Sequence, residues 1–186
     1  MLRHYLQCLA MKIVGLVGHI GAGKTSIAKF LESTGYLRIT LSDFLIQEAR
    51  AREVAPTRVN LQHLGDELRR RNGGSVLFKR ALEMANRVKA DRVVIDGIRN
   101  PDEVRALKDK QGAILIGVTR SQWQGSTQDT AASSRERNPN EPSWGQRVAE
   151  SISMADLMVE NAGTLDELCL KVSDVLLTQA PTAATS

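Results

Sequence analysis

The residues with the plainest chemical purpose are Gly18-His19-Ile20-Gly21-Ala22-Gly23-Lys24-Thr25, which fit the pattern GxxxxGK followed by Ser or Thr. The stretch lies between a Val/Ile-rich run that reads as a strand and a segment with Ile27, Phe30 and Leu31 that reads as a helix. Glycines let the backbone curl with its N–H groups pointing inward, and the helix N-terminus adds partial positive charge, so the loop suits a chain of phosphates. Gly18, Gly21, Ala22, Gly23 and Ser26 are expected to form that cradle, with Lys24 reaching the outer phosphates and Thr25 offering its hydroxyl to Mg²⁺. His19 reads as a spacer. The expected ligands are ATP and Mg²⁺.

A phosphate loop does not say whether the phosphoryl group goes to water or to a second substrate. In an open parallel sheet, ligands gather at the carboxyl ends of the strands, and two acids are expected there. Asp96 ends a strand in RVVIDGIR and suits the Mg²⁺ site beside Thr25. Asp43 follows a strand in ITLSDFLIQEA, where it could accept a hydroxyl proton or orient an acceptor; alternatively, Ser42 or Asp43 caps a helix. Arg99, just past Gly97, could grip a phosphate bidentately. Arg58 and Arg69 flank the helix LQHLGDEL, where an acceptor site could form, although Arg69 reads equally well as a helix C-terminal charge. Lys24, Asp43 and Arg99 are thus the candidate catalytic groups, and Asp43, Arg58, Arg69 and Arg99 the candidate acceptor contacts.

The elements that must position these groups alternate in type. Short apolar runs at 13–17, 37–41, 93–95, 114–118 and 157–159 are separated by helical patterns, which predicts a three-layer α/β fold with five parallel strands and helices on both faces. Leu61, Leu64 and Leu68 mark a helix that stops at Asn72-Gly73-Gly74, after which Ser75 can cap the next. NPDEV from Asn100 supplies a cap, a first-turn proline and first-turn acids. Thr164 and Glu167 form a capping box before a stripe of Leu165, Leu168, Cys169, Val172, Val175 and Leu176, in which Cys169 reads as a core residue.

With 186 residues, one domain is expected over 11–178, preceded by an appendage (1–10, with Met11 a plausible alternative start) and followed by a disordered tail (179–186). Residues 121–143 are poor in aliphatics and predict a lid excursion; Arg120, Arg135 and Arg137 are its available cations. The apolar fraction of 42% argues against disorder, and no apolar run is long enough to span a membrane. Two distant cysteines indicate neither a disulfide framework nor a zinc site, and a cytoplasmic location is the default expectation. A net charge of +4 suits anionic small molecules, while only seven aromatic residues provide poorly for stacking on nucleic acid.

Three further stretches resemble the nucleoside monophosphate kinase group of phosphate-loop proteins, which includes the dephospho-CoA kinases, the deoxynucleoside monophosphate kinases and archaeal relatives. SDFL is similar to that group's acceptor-side Asp segment, VIDGIRNPDEV to its DGxxR stretch, and ADLMVENAGTLDEL to the ADxxIxNxGT segment of dephospho-CoA kinases. TRVNLQHLGDELRR is similar to an acceptor-site helix of deoxynucleoside monophosphate kinases. The resemblance covers 12 to about 177 and implies an ATP-dependent kinase of a nucleotide-like acceptor, with the loop around Asn161 near the adenine. Two departures stand out. Dephospho-CoA kinases usually carry DAD after the second strand, and Leu41 takes the place of its first acid; the lid lacks the group's Arg-bearing helix. The departures leave dephospho-CoA kinase and a nucleotide-binding regulatory protein as alternatives to a nucleoside monophosphate kinase.

Overall fold

A computed structural model describes residues 11–120 and 144–178; the expected appendage, lid and tail, with Arg135 and Arg137, lie outside the described residues. The five expected strands all form: β1 (Lys12–Gly18), β2 (Leu37–Thr40), β3 (Arg92–Ile98), β4 (Ala113–Thr119) and β5 (Leu157–Glu160). They build one parallel sheet in the order β2-β3-β1-β4-β5, so the chain's first strand sits at the centre. The helices are α1 (Lys24–Ser33), α2 (Leu41–Ala51), α3 (Arg58–Asn72), α4 (Val76–Arg87), α5 (Pro101–Lys108), α6 (Trp144–Ser153) and α7 (Leu165–Thr178).

Alternation along β1 divides the core. Val14 and Leu16 pack with Ile27, Ala28 and Leu31 of α1 and Leu168 and Val172 of α7. Ile13 and Val17 face the other way, into a larger cluster with α2, α3, α4 and α5. Apolar runs buried on both faces are what a central parallel strand requires. The expected α/β three-layer fold is therefore present.

One irregularity re-aims the site. Leu16 pairs with Asp96 but Val17 pairs with Ile98, so Gly97 is an extra residue in β3. It adopts φ +89°, a conformation that glycine takes without steric cost. The bulge resets the alternation: Ile98 joins Val93 and Ile95 in the larger cluster, while Asp96 faces the phosphate loop.

Several local expectations need correction. Leu41 begins α2 instead of ending β2, because its side chain is drawn into the core (1% exposed). Neither Ser42 nor Asp43 caps that helix; the cap position belongs to Thr40, which makes no side-chain capping bond. Ser75 occupies the cap position of α4, also without a side-chain bond. In α7 the capping box forms, with the Thr164 amide donating to Glu167 Oε2 (3.0 Å) and the Glu167 amide to Thr164 Oγ1 (3.3 Å). Of its apolar stripe, Leu168 and Val172 are buried and Val175 and Leu176 pack against the same cluster, while Cys169 is only half-buried and Leu165 is exposed.

Candidate functional site

The loop from Gly18 to Thr25 closes over the carboxyl end of β1 and opens directly into α1. Gly23 takes φ +109° at the helix N-terminus. A Cβ there would lie 2.6 Å from Asn161 Nδ2, so no larger residue fits without displacing Asn161. Lys24 is buried, and its ammonium donates to the carbonyls of Gly18 and His19, both at 2.8 Å. Burial, reinforced by the nearby Arg99 charge and opposed by Asp96, lowers its pKa from 10.5 to about 8. His19 is pushed below its ordinary value too, by burial first and then by Lys24. The sequence reading of His19 was a spacer; its carbonyl accepts the Lys24 ammonium and the Ala22 N–H.

Thr25 donates its hydroxyl to Asp96 Oδ2 at 3.1 Å, across 71 residues of sequence. Asp96 is 4% exposed and Thr25 is exposed, so the pair presents one hydroxyl and one carboxylate at the mouth of the loop. Hard oxygen donors of this kind fit Mg²⁺, which completes its shell with water and phosphate oxygens instead of an all-protein cage.

An open cleft of about 400 Å³ adjoins the loop, lined by Gly21, Gly23, Lys24, Thr25 and Ser26 on one side. Arg120, Asn161, Gly163, Leu165 and Leu168 line the other side. The Arg120 guanidinium reaches to 3.4 Å of the Gly21 carbonyl, which places one expected lid cation at the cleft. Leu165 is exposed here because it forms cleft wall, not core.

The acceptor-side residues do not all take the expected parts. Asp43 lies exposed in the first turn of α2, past the end of β2. Arg99 is half-buried beside Asp96. Burial lowers its pKa, Arg58 and Arg69 reinforce that effect, and Asp96 and Glu103 oppose it. Arg58, Arg69 and Arg99 therefore share one electrostatic neighbourhood. Arg69, however, is held by the protein itself: its Nε and Nη2 donate to Glu103 Oε1 at 3.2 and 2.8 Å.

Glu103 was missed as a site residue. It is fully buried, and its other oxygen, Oε2, accepts the backbone N–H groups of Arg99 (3.1 Å) and Asn100 (3.3 Å). NPDEV signalled a helix cap, which is correct, since Asn100 and Glu103 form a capping box on α5. Nothing local signalled that the same carboxylate would reach Arg69. A second ion pair extends the connection: Arg147 of α6 binds Asp66 of α3 at 2.7 Å, and Asp66 lies 3.8 Å from Arg69.

A parallel sheet in 2-3-1-4-5 order, a glycine-rich loop after the central strand and a Thr–Asp pair beside it define a P-loop fold. The same fold is found in TT1252 from Thermus thermophilus (TM-score 0.55, 19% identity, 91% of this chain and 98% of that one). It is also found in shikimate kinase from Aquifex aeolicus (TM-score 0.53, 11% identity, with the same coverage).

The chain belongs to the UPF0200 family. It is 31% identical over 180 residues to the UPF0200 protein of Methanothrix thermoacetophila, covering 89% of this chain and 97% of that protein. It is also 29% identical over 183 residues to a UPF0200/UPF0201 protein of Archaeoglobus fulgidus, of whose length it spans 56%. No protein-family model matches the chain.

Proposed function

We propose that this chain is an ATP-dependent, Mg²⁺-requiring phosphotransferase that moves the γ-phosphoryl group of ATP to a nucleoside monophosphate or a related nucleotide-like small molecule. The observation that carries this reading is the meeting of two charged half-sites at the carboxyl edge of one sheet. Lys24, the loop and the Thr25–Asp96 pair form one half; Arg99, with Arg58 in its electrostatic neighbourhood, forms the other.

In this reading the loop amides and Lys24 hold the phosphates of ATP, while Thr25 and Asp96 hold Mg²⁺, which supplies charge neutralisation when bound. Arg99 and Arg58 orient the acceptor anion, and Arg120 adds positive charge at the cleft. The bond from the γ-phosphorus to the β–γ bridging oxygen breaks, with its electron pair leaving on ADP, as an acceptor oxygen bonds to phosphorus. A phosphate oxygen of a nucleoside monophosphate is already anionic and needs no base. A ribose hydroxyl, the acceptor in the dephospho-CoA kinase reading, would need one, and in that reading Asp43 would take the proton. The buried Leu41, where those kinases usually carry an acid, counts against this second acceptor.

The test is ADP release from MgATP with the ribo and deoxyribo monophosphates and dephospho-CoA added singly. Stimulation by a monophosphate that survives Asp43→Asn supports the proposal. Stimulation by dephospho-CoA alone, abolished in D43N, transfers the assignment to that acceptor. Tight ATP binding with no stimulation by any of them would make the protein a nucleotide-binding regulator and overturn the proposal.

A further inference from the structure

Asn161 bridges two parts of the nucleotide site that are distant in sequence. Its backbone N–H donates to the Thr119 carbonyl at 2.7 Å, extending the β4–β5 ladder by one bond beyond the strand. Its side-chain Nδ2 donates to the Ala22 carbonyl at 3.0 Å, reaching the phosphate loop across 139 residues. The same amide lies against Gly23, where even a methyl group would overlap it. The residue is thus fixed at one end to the sheet and at the other to a single peptide unit of the loop.

The direction of that peptide unit follows from its planarity. In a trans peptide the carbonyl and the following N–H point in opposite directions. With the Ala22 oxygen drawn toward Asn161, the Gly23 N–H is turned away from Asn161 and toward the inside of the loop, where inward-pointing N–H groups make an anion cradle.

We infer that Asn161 is a positioning residue for the phosphate loop: by holding the Ala22 carbonyl it aims the Gly23 N–H at the nucleotide's phosphates. It therefore governs affinity through the phosphate end of the ligand and not through the base. The inference rests on the nucleotide-binding reading above, and departs from the sequence resemblance, which placed this loop near adenine. Gly163 and Leu165 follow it along the cleft wall.

The experiment compares wild-type protein, Asn161→Ala, Asn161→Asp and Lys24→Ala for binding of two probes, MgATP and inorganic tripolyphosphate with Mg²⁺, by titration calorimetry. The second probe has phosphates and no base. Loss of one aligned hydrogen bond predicts about tenfold weaker binding of both probes to N161A, by the same factor. N161D loses more on both, because a carboxylate cannot donate to the Ala22 carbonyl and sets negative charge beside the phosphates. In ligand-free N161A the Gly23 amide resonance should shift and its hydrogen exchange accelerate, while the β1 amides keep their protection.

A loss confined to MgATP, with tripolyphosphate unaffected, would make Asn161 a base contact and overturn the inference. Unchanged affinities together with an unchanged Gly23 resonance would overturn it as well. Failure of the underlying reading looks different: wild-type protein would bind neither probe, K24A would match wild type, and the inference would fall with the reading.

Discussion

Replacing Glu103 with Gln should be the most damaging conservative change on the acceptor side. Glu103 is 0% exposed and its partner Arg69 is 12% exposed, so the pair is not one of the solvent-screened surface bridges that contribute little. Its two oxygens serve different donors, Oε1 taking Arg69 and Oε2 taking the Arg99 and Asn100 amides. A glutamine has one oxygen and one NH₂ group, so one set of donors must face another donor. Removing one partner of a buried pair costs about 3–5 kcal/mol, and the slight exposure of Arg69 favours the lower figure. For a chain of this size a loss of about 3 kcal/mol lowers the melting temperature by roughly 6–12 °C. Urea unfolding of E103Q, R69M and the double variant E103L/R69M is the assay. The double variant should recover most of the loss, because an apolar pair of similar volume leaves no stranded charge; the missing cap on α5 should leave a residual deficit of about 1 kcal/mol. A deficit below about 1 kcal/mol in E103Q, or a double variant as unstable as the summed singles, would refute the reasoning.

Lys24 gives a pH prediction with a definite sign. Its pKa is about 8 in the folded protein against 10.5 ordinarily, so between those values the unfolded chain binds more protons and the ligand-free protein gains stability as pH rises. Below pH 8 the net cost of holding the charged ammonium is fully present, about 3 kcal/mol, and in parallel urea titrations K24M should lack the gain that wild type shows between pH 8 and 10.5. Phosphates favour the charged ammonium, so MgATP affinity should fall as pH rises through 8, with proton uptake visible by calorimetry in two buffers of different ionisation enthalpy. Gly97→Ala tests the bulge: a methyl group there meets no atom within 4 Å, so its cost is backbone strain alone, about 1–2 kcal/mol. That variant should also need more Mg²⁺ for half-maximal nucleotide binding as Asp96 shifts, and unchanged Mg²⁺ dependence would detach the bulge from the metal site.

The phosphate-loop motif was readable because its residues are local in sequence. Eight consecutive residues supply the loop, the ammonium and the hydroxyl, and a single strand end supplies Asp96. The sheet was readable for a related reason: strands buried on both faces are apolar throughout and bounded by breakers, a pattern that survives without knowledge of neighbours. Helix starts were less legible. Ser75 sits at a cap position without bonding, and Leu41 left its strand because the core took its side chain. Leu165 fits the stripe of α7 by spacing, yet it lines the cleft and stays exposed.

The acceptor half resisted because its parts acquire roles only through distant partners. By sequence, Arg69 had two readings, a helix C-terminal charge or a ligand contact, and the structure supplies a third, neutralisation of a buried carboxylate 34 residues away. That pairing changes the charge presented to a substrate. Arg69 is paired with Glu103, while the charge of Arg58 opposes that of Arg99 against the carboxylates of Asp96 and Glu103. Two guanidinium groups held close in a partly desolvated place oppose each other, and a bound dianion would relieve that opposition while accepting their hydrogen bonds. Divalent Mg²⁺ near Asp96 would strengthen the demand for such an anion. In the proposed reading a phosphorylated acceptor would offset that opposition, and the site would discriminate by the acceptor's charge before its shape.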